Sequence, residues 1–268
     1  GKGNVYYAIR QQVKGRNITF ATDGHDEGPE YESATFSDLG SRPVSGFNAQ
    51  FGTPVGTLRY GVRSDIVKRI EALIAGGSGS GKGSGSGSIK QLSERHRPLD
   101  VVNFWDPDSK PEKHLFLKNN LRTHVSRAVL SISHKHQNLN VTVGVIGQMH
   151  AVGRNSVSDD YVQALIDHKI VVVAQRDAWE GHYRLMEALA GGALVMTDPM
   201  HPLPYKLVDG DGVVVYRSLK DLKEKIMHYI EEEPSERLRI AKRGHYVAMN
   251  YHRSWHIMER LLLGNWTE

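Results

Sequence analysis

From Leu99 onward the chain alternates short apolar runs with amphipathic segments of helical length, and this alternation constrains the fold most. "LDVVNFW", "NVTVGVI", "KIVVVAQ", "ALVMT" and "GVVVY" read as buried strands. Between them, "NNLRTHVSRAVLSISHKH", "SDDYVQALIDH" and "GHYRLMEALAGG" read as helices. Leu121, Val125, Ala128, Val129 and Ile132 share one face of the first. Ser158 is placed to cap the second, and the Gly191–Gly192 pair ends the third. Such alternation gives right-handed βαβ units. The expectation is an α/β fold, a Rossmann-like parallel sheet with helices on both faces, from Pro98 to about Pro234. Continuous Val and Ile runs suit strands covered on both sides. Three closing helices follow. "SLKDLKEKIMHYIEEE" is opened by Ser218 with Asp221 three residues on, Pro234 starts the next, and "SWHIMERLLL" is the last.

The chain divides into three parts. Residues 1–75 form a reduced N-terminal part, with a short helix from Asn4 to Gln12 and a strand in "NITFATDG". A loop-rich stretch with many Gly, Pro and Ser follows, and then the helical spacing of "RSDIVKRIEALI", with Ser64 or Asp65 as its cap. Residues 76–88, "GGSGSGKGSGSGS", alternate Gly and Ser with a purity that reads as an engineered flexible linker. Residues 89–268 hold the Rossmann-like domain and its closing helices.

Composition narrows the function. There are no cysteines among the 268 residues, which excludes thiol nucleophiles, disulfide frameworks and Cys-based zinc sites. Their absence leans toward a reducing compartment such as the cytoplasm. Three N-x-T sequons, at Asn17, Asn140 and Asn265, leave the secretory lumen open. No apolar run reaches the roughly 18–20 residues that span a bilayer, and "GKGNVYY" has no signal-peptide pattern. A net charge of +4 favours anionic ligands mildly, without a nucleic-acid motif beside it. Walker loop, Ser elbow and H-E-x-x-H are absent.

In parallel α/β sheets ligands bind beyond the carboxyl ends of the strands. The strand ending near Gln175 leads through "RDAWEG" into a helix beginning near His182. Free N–H groups and the dipole of that helix favour an anion at its start. Arg176, His182 and Arg184 add charge or donors there, and Glu187, about one turn in, is set to accept hydrogen bonds from a sugar diol. Arg154, in the loop after "NVTVGVI", and Arg122, at the start of the first helix, are the other candidates for a phosphate.

The stretch "MEALAGGALVMTD" resembles the donor-nucleotide segment of GT-B glycosyltransferases, where a pattern written E-x7-E precedes "EALACGALLVTD". The closer resemblance is to the branch with a CgeB- or YkvP-like C-terminal domain, in which an Arg falls three residues before the Glu, as Arg184 does before Glu187. "RYGVRSDIV" resembles the "GVD…F" segment that ends the family's N-terminal domain, and the sequence after Tyr216 resembles its closing helices. The resemblance runs from about Leu58 to Leu262. It implies transfer of a sugar from a nucleotide-diphosphate donor to an acceptor, whether glycan, protein or small molecule. It also implies a donor site of Glu187, Arg184, His182, Gly181, Arg176, Glu180, Arg122 and Arg154, with no cofactor and no divalent metal required. Glu180 and Glu187 stand seven apart where the family has eight, so Glu187 is the better match for the ribose contact. The family places a catalytic base in its N-terminal part, where His25 and Asp26 cluster at a strand end.

Other classes remain alongside. A non-catalytic Rossmann-like module could bind a nucleotide or a partner. A metal-dependent, GT-A-like transferase could use Asp106 and Asp108 of "FWDPD" as a D-x-D pair, although a turn at the strand end accounts for the same residues. A nucleic-acid-binding protein has only the basic pI in its favour.

Overall fold

The computed structural model describes residues 61–76, 89–108, 121–144, 157–174, 183–200 and 203–263. Residues 1–60, with the expected short helix and strand, and the Gly/Ser stretch from residue 77 lie outside them.

Six strands form one sheet: β1 (Leu99–Asn103), β2 (Val141–Val143), β3 (His168–Val173), β4 (Leu194–Thr197), β5 (Val208–Asp209) and β6 (Gly212–Val215). Their order is β2-β1-β3-β4-β6-β5, and every pairing is parallel. The helices are α1 (Ser64–Gly76), α2 (Leu121–Lys135), α3 (Asp159–Asp167), α4 (Tyr183–Ala190), α5 (Leu219–Met227), α6 (Pro234–Tyr251) and α7 (Ser254–Leu263). A 3₁₀ segment, Ile89–Glu94, precedes β1, and a π-helical turn, His228–Glu232, follows α5. The Rossmann-like parallel sheet expected from the sequence is therefore present.

Burial explains the uninterrupted apolar strands. Alternate residues of one strand enter different cores. Val102, Val171, Val173, Val195 and Val213 pack with α1, α3 and α4. Val101, Ile170, Val172, Leu194, Met196 and Val214 pack with α2 and α5. The central strands β1, β3, β4 and β6 each have a fully covered apolar residue on both sides, whereas β2 is half-buried and β5 exposed at the sheet's edges. Helix α6 serves both cores, with Ile240 and Ala241 in the second and Val247 and Ala248 in the first. Between them sits Gly244, and a Cβ there would collide with the Gly212 carbonyl and come within 2.8 Å of Leu189. This close helix–strand approach requires glycine.

The capping residues act as their types dictate. Ser158 Oγ accepts from Tyr161 N, and Ser218 Oγ accepts from Asp221 N at 3.0 Å. The return bond of the second cap goes one residue further than expected, from Arg217 N to Asp221 Oδ2 at 2.7 Å. Helix α4 ends as glycine pairs do: Gly191 N donates to Glu187 O, Gly192 N donates to Leu189 O, and Gly192 takes φ +72°.

The segment before α1 is tied to the break between α6 and α7. Ser254 N donates to Val62 O, and Val62 N donates to His252 O. Val62, Ile66, Val67 and Ile70 then join the core of α3 and α4. Among the described residues, no helix is long and apolar enough to cross a membrane.

Candidate functional site

Strand register sets the ligand edge. Asn103 is level with Val143 and Val172, Val173 with Thr197, and Thr197 with Val215. These carboxyl ends are held to one another by side chains. Asn103 Nδ2 donates to Val172 O at 3.0 Å, and the Tyr216 hydroxyl donates to Val173 O at 2.9 Å. The chain leaving β1 is fixed as well. Trp105 N donates to Asn103 Oδ1, Trp105 Nε1 donates to Thr123 Oγ1, and Ser126 Oγ donates to Trp105 O. Asp106 Oδ1 accepts from Asp108 N at 2.8 Å, closing a turn of the Asx type.

Arg122 stands in the first turn of α2, on the side of the sheet that holds the second core. It is 8% exposed, its Nε donates to Ala174 O at 3.3 Å, and its guanidinium lies 4.9 Å from the Trp105 ring centre. A buried cation thus sits between the ends of β1 and β3.

On the opposite face, Glu187 is one turn into α4 and 1% exposed. The Tyr161 hydroxyl, from α3, donates to Glu187 Oε2 at 2.6 Å. The second carboxylate oxygen, Oε1, is buried with no hydrogen-bond partner. Phe104, just past β1, packs on Tyr161 with ring centres 4.7 Å apart, and the Arg184 guanidinium lies 5.9 Å from the Phe104 ring. Burial pushes the Glu187 carboxyl up to about 7, against the Tyr161 hydrogen bond and the positive charges of Arg184 and Arg63, which pull it down. A buried carboxylate with an unmet oxygen at a sheet's carboxyl edge is a group waiting for a donor.

Arg184 and Glu187 are therefore brought together, and Arg122 flanks the same edge from the other side of the sheet. Arg176, Glu180, Gly181, His182 and Arg154 lie outside the described residues, as do His25 and Asp26. Two further residues belong to the edge. Tyr161 reads in sequence only as part of an amphipathic helix; its pairing with Glu187 spans 26 residues. Asp198, directly after β4, is fully buried, with Thr197 Oγ1 at 3.4 Å. An acid ending an apolar strand is a signal the sequence does offer. Among the described residues, no group of three or more His, Asp or Glu side chains could hold a metal ion.

A cleft of about 590 Å³ between α2 and α5, lined by Lys135, Lys223 and His228, lies away from this edge. It sits at the helices' C-terminal ends, where cations answer the dipole.

Residues 124–263 match the model of a family described as glycosyl transferase-like, which is more than half of the chain. The chain belongs to this glycosyl transferase-like family. The match takes in Tyr161, Arg184, Glu187 and Asp198, and Arg122 lies two residues before it. No curated protein matches the sequence. Among solved structures, the GtfA/B complex is similar, with 14% identity over 67% of this chain and 39% of that one, at a TM-score of 0.40. A sucrose-phosphate synthase from Thermosynechococcus elongatus shows 15% identity over 97% of this chain and 57% of that one, at a TM-score of 0.37. The chain spans less than two thirds of the length of either.

Proposed function

We propose that this glycosyl transferase-like chain is the donor-binding part of a GT-B glycosyltransferase, which moves a sugar from a nucleotide diphosphate to an acceptor. One observation carries the reading: at the ligand edge Glu187 is 1% exposed, held at Oε2 by Tyr161 and unmet at Oε1. A ribose hydroxyl supplies the missing donor, and a charge-assisted hydrogen bond of this kind is stronger than a neutral one. Arg122 and Arg184 stand on either side of the same edge, where α2 and α4 begin and the positive ends of their dipoles lie. In this reading they stabilise the charge that develops on the leaving diphosphate, the work a metal does in other transferases. His182, Gly181, Arg176, Glu180 and Arg154 complete the donor site, and His25 or Asp26 takes the acceptor's proton.

The test is a thermal-shift panel of UDP, GDP, ADP, CMP and their sugars. A ligand bound to the native state raises the melting temperature by mass action. One nucleotide diphosphate is expected to do so well above the others, and no shift with any of them at millimolar concentration overturns the reading.

A further inference from the structure

We propose that Tyr161 is a positioning residue for the ligand contact: its hydroxyl, donated to Glu187 Oε2, fixes the carboxylate and leaves Oε1 as the acceptor for an incoming hydroxyl. This inference rests on the donor-site reading of Glu187.

The geometry carries it. The bond is 2.6 Å long and joins two helices. Tyr161 cannot turn away freely, because Phe104 packs on its ring at 4.7 Å and Ser158 caps its helix one turn earlier. Its hydroxyl is a permanent donor: burial and the neighbouring Glu187 charge hold its pKa well above the ordinary tyrosine value. Glu187 Oε1, by contrast, is buried without a partner. A carboxylate held at one oxygen presents the other in a single orientation, so the ordering cost of binding is met beforehand.

The titratable groups facing Glu187 come from each element packed on it: Arg63 and Asp65 at the start of α1, Tyr161 on α3, and Arg184 on α4, with Tyr183 acting on Arg63 and Tyr161. Burial favours the neutral acid, while Tyr161, Arg184 and Arg63 favour the carboxylate. A neutral acid is a poorer acceptor than a carboxylate, so Tyr161 acts on the ligand through the charge of Glu187 as well as through its orientation.

Calorimetric titration of the full chain with UDP and with GDP, across about pH 5.5 to 9, tests the idea in wild type, Tyr161→Phe and Glu187→Gln. Wild-type affinity is expected to climb with pH and level off as Glu187 ionises. In Tyr161→Phe the climb moves to higher pH, so the loss of affinity is about tenfold greater near pH 6 than near pH 9, where only the lost orientation remains. Glu187→Gln keeps only the pH dependence of the ligand's own terminal phosphate, whose second pKa is about 6. A Tyr161→Phe profile that superimposes on wild type, or one lowered equally at every pH, overturns the positioning role. If neither nucleotide binds wild type, the donor reading is decided by the full thermal-shift panel and not by this titration. The positioning role is then read from the Glu187 carboxyl carbon by NMR, whose titration midpoint rises in Tyr161→Phe if the role holds and stays put if it does not.

Discussion

Arg97 and Gly191 meet at 2.6 Å, where Arg97 Nη2 donates to the carbonyl that follows α4. The same guanidinium donates to the carbonyls of Leu165, Ile166 and His168 at 2.9 to 3.1 Å and of Leu92 at 3.3 Å. It is 5% exposed and sits against the negative ends of both α3 and α4. One cation thus ties five carbonyls together at the edge of the sheet away from Glu187, while Glu187 Oε1 at the opposite edge is unmet. No shorter or unbranched side chain can reach five carbonyls. Arg97→Met is expected to cost about 3–5 kcal/mol, because each buried acceptor left unpaired costs about 1–3 kcal/mol. Urea denaturation measures it, and a loss below about 1 kcal/mol would refute the clamp.

Gly244→Ala tests the approach of α6 to β6. In an ordinary helix interior the change stabilises by about 1 kcal/mol. Here the added methyl meets the Gly212 carbonyl and Leu189. Net destabilisation of about 1–3 kcal/mol is expected from overpacking. A rise in the denaturation midpoint would show that α6 is not seated as described.

Stability should fall with pH on account of Glu187. Its folded pKa of about 7 lies above its ordinary value of 4.5, so the folded state holds the proton more tightly. The contribution is fully present below about pH 4.5 and is lost as pH rises through 7, roughly 3 kcal/mol at most. Glu187→Gln removes this loss. Thermal melts of the two proteins should therefore diverge between about pH 4.5 and 7 and stay apart above it, with the variant the more stable at pH 8. Parallel curves would contradict the burial of a titrating carboxyl.

The strands and helices after Leu99 were legible because burial on both faces forces continuous Val and Ile, and Ser158, Ser218, Gly192 and Pro234 mark ends by local chemistry. Glu187 was legible for the same reason, standing one turn into a helix that leaves the sheet's carboxyl edge. What escaped depends on distant partners. Arg97 sits in "ERHRPLD" and reads as a surface charge, yet four of its five carbonyls belong to residues 165–191, far along the chain. Tyr161 reads as one residue of an amphipathic helix until α3 and α4 are placed side by side. The two-residue β5 is too short to show a period, and its Asp209 and Asp211 mimic a D-x-D pair. In the fold Asp209 Oδ1 accepts from Val215 N, and Asp211 pairs with Arg239 and Arg243.

The central claim is that Glu187 receives a hydroxyl of a nucleotide donor, and isothermal titration at about pH 8 tests it most directly, since Glu187 is then ionised. The nucleotide diphosphate that binds best is titrated into wild type and into Glu187→Gln, whose fold the melts above have checked. An amide is an uncharged acceptor of nearly the same shape, so the loss expected is that of one charge-assisted hydrogen bond, about 1.5–3 kcal/mol or roughly 10- to 150-fold in Kd. Equal affinity in the two proteins would contradict the account.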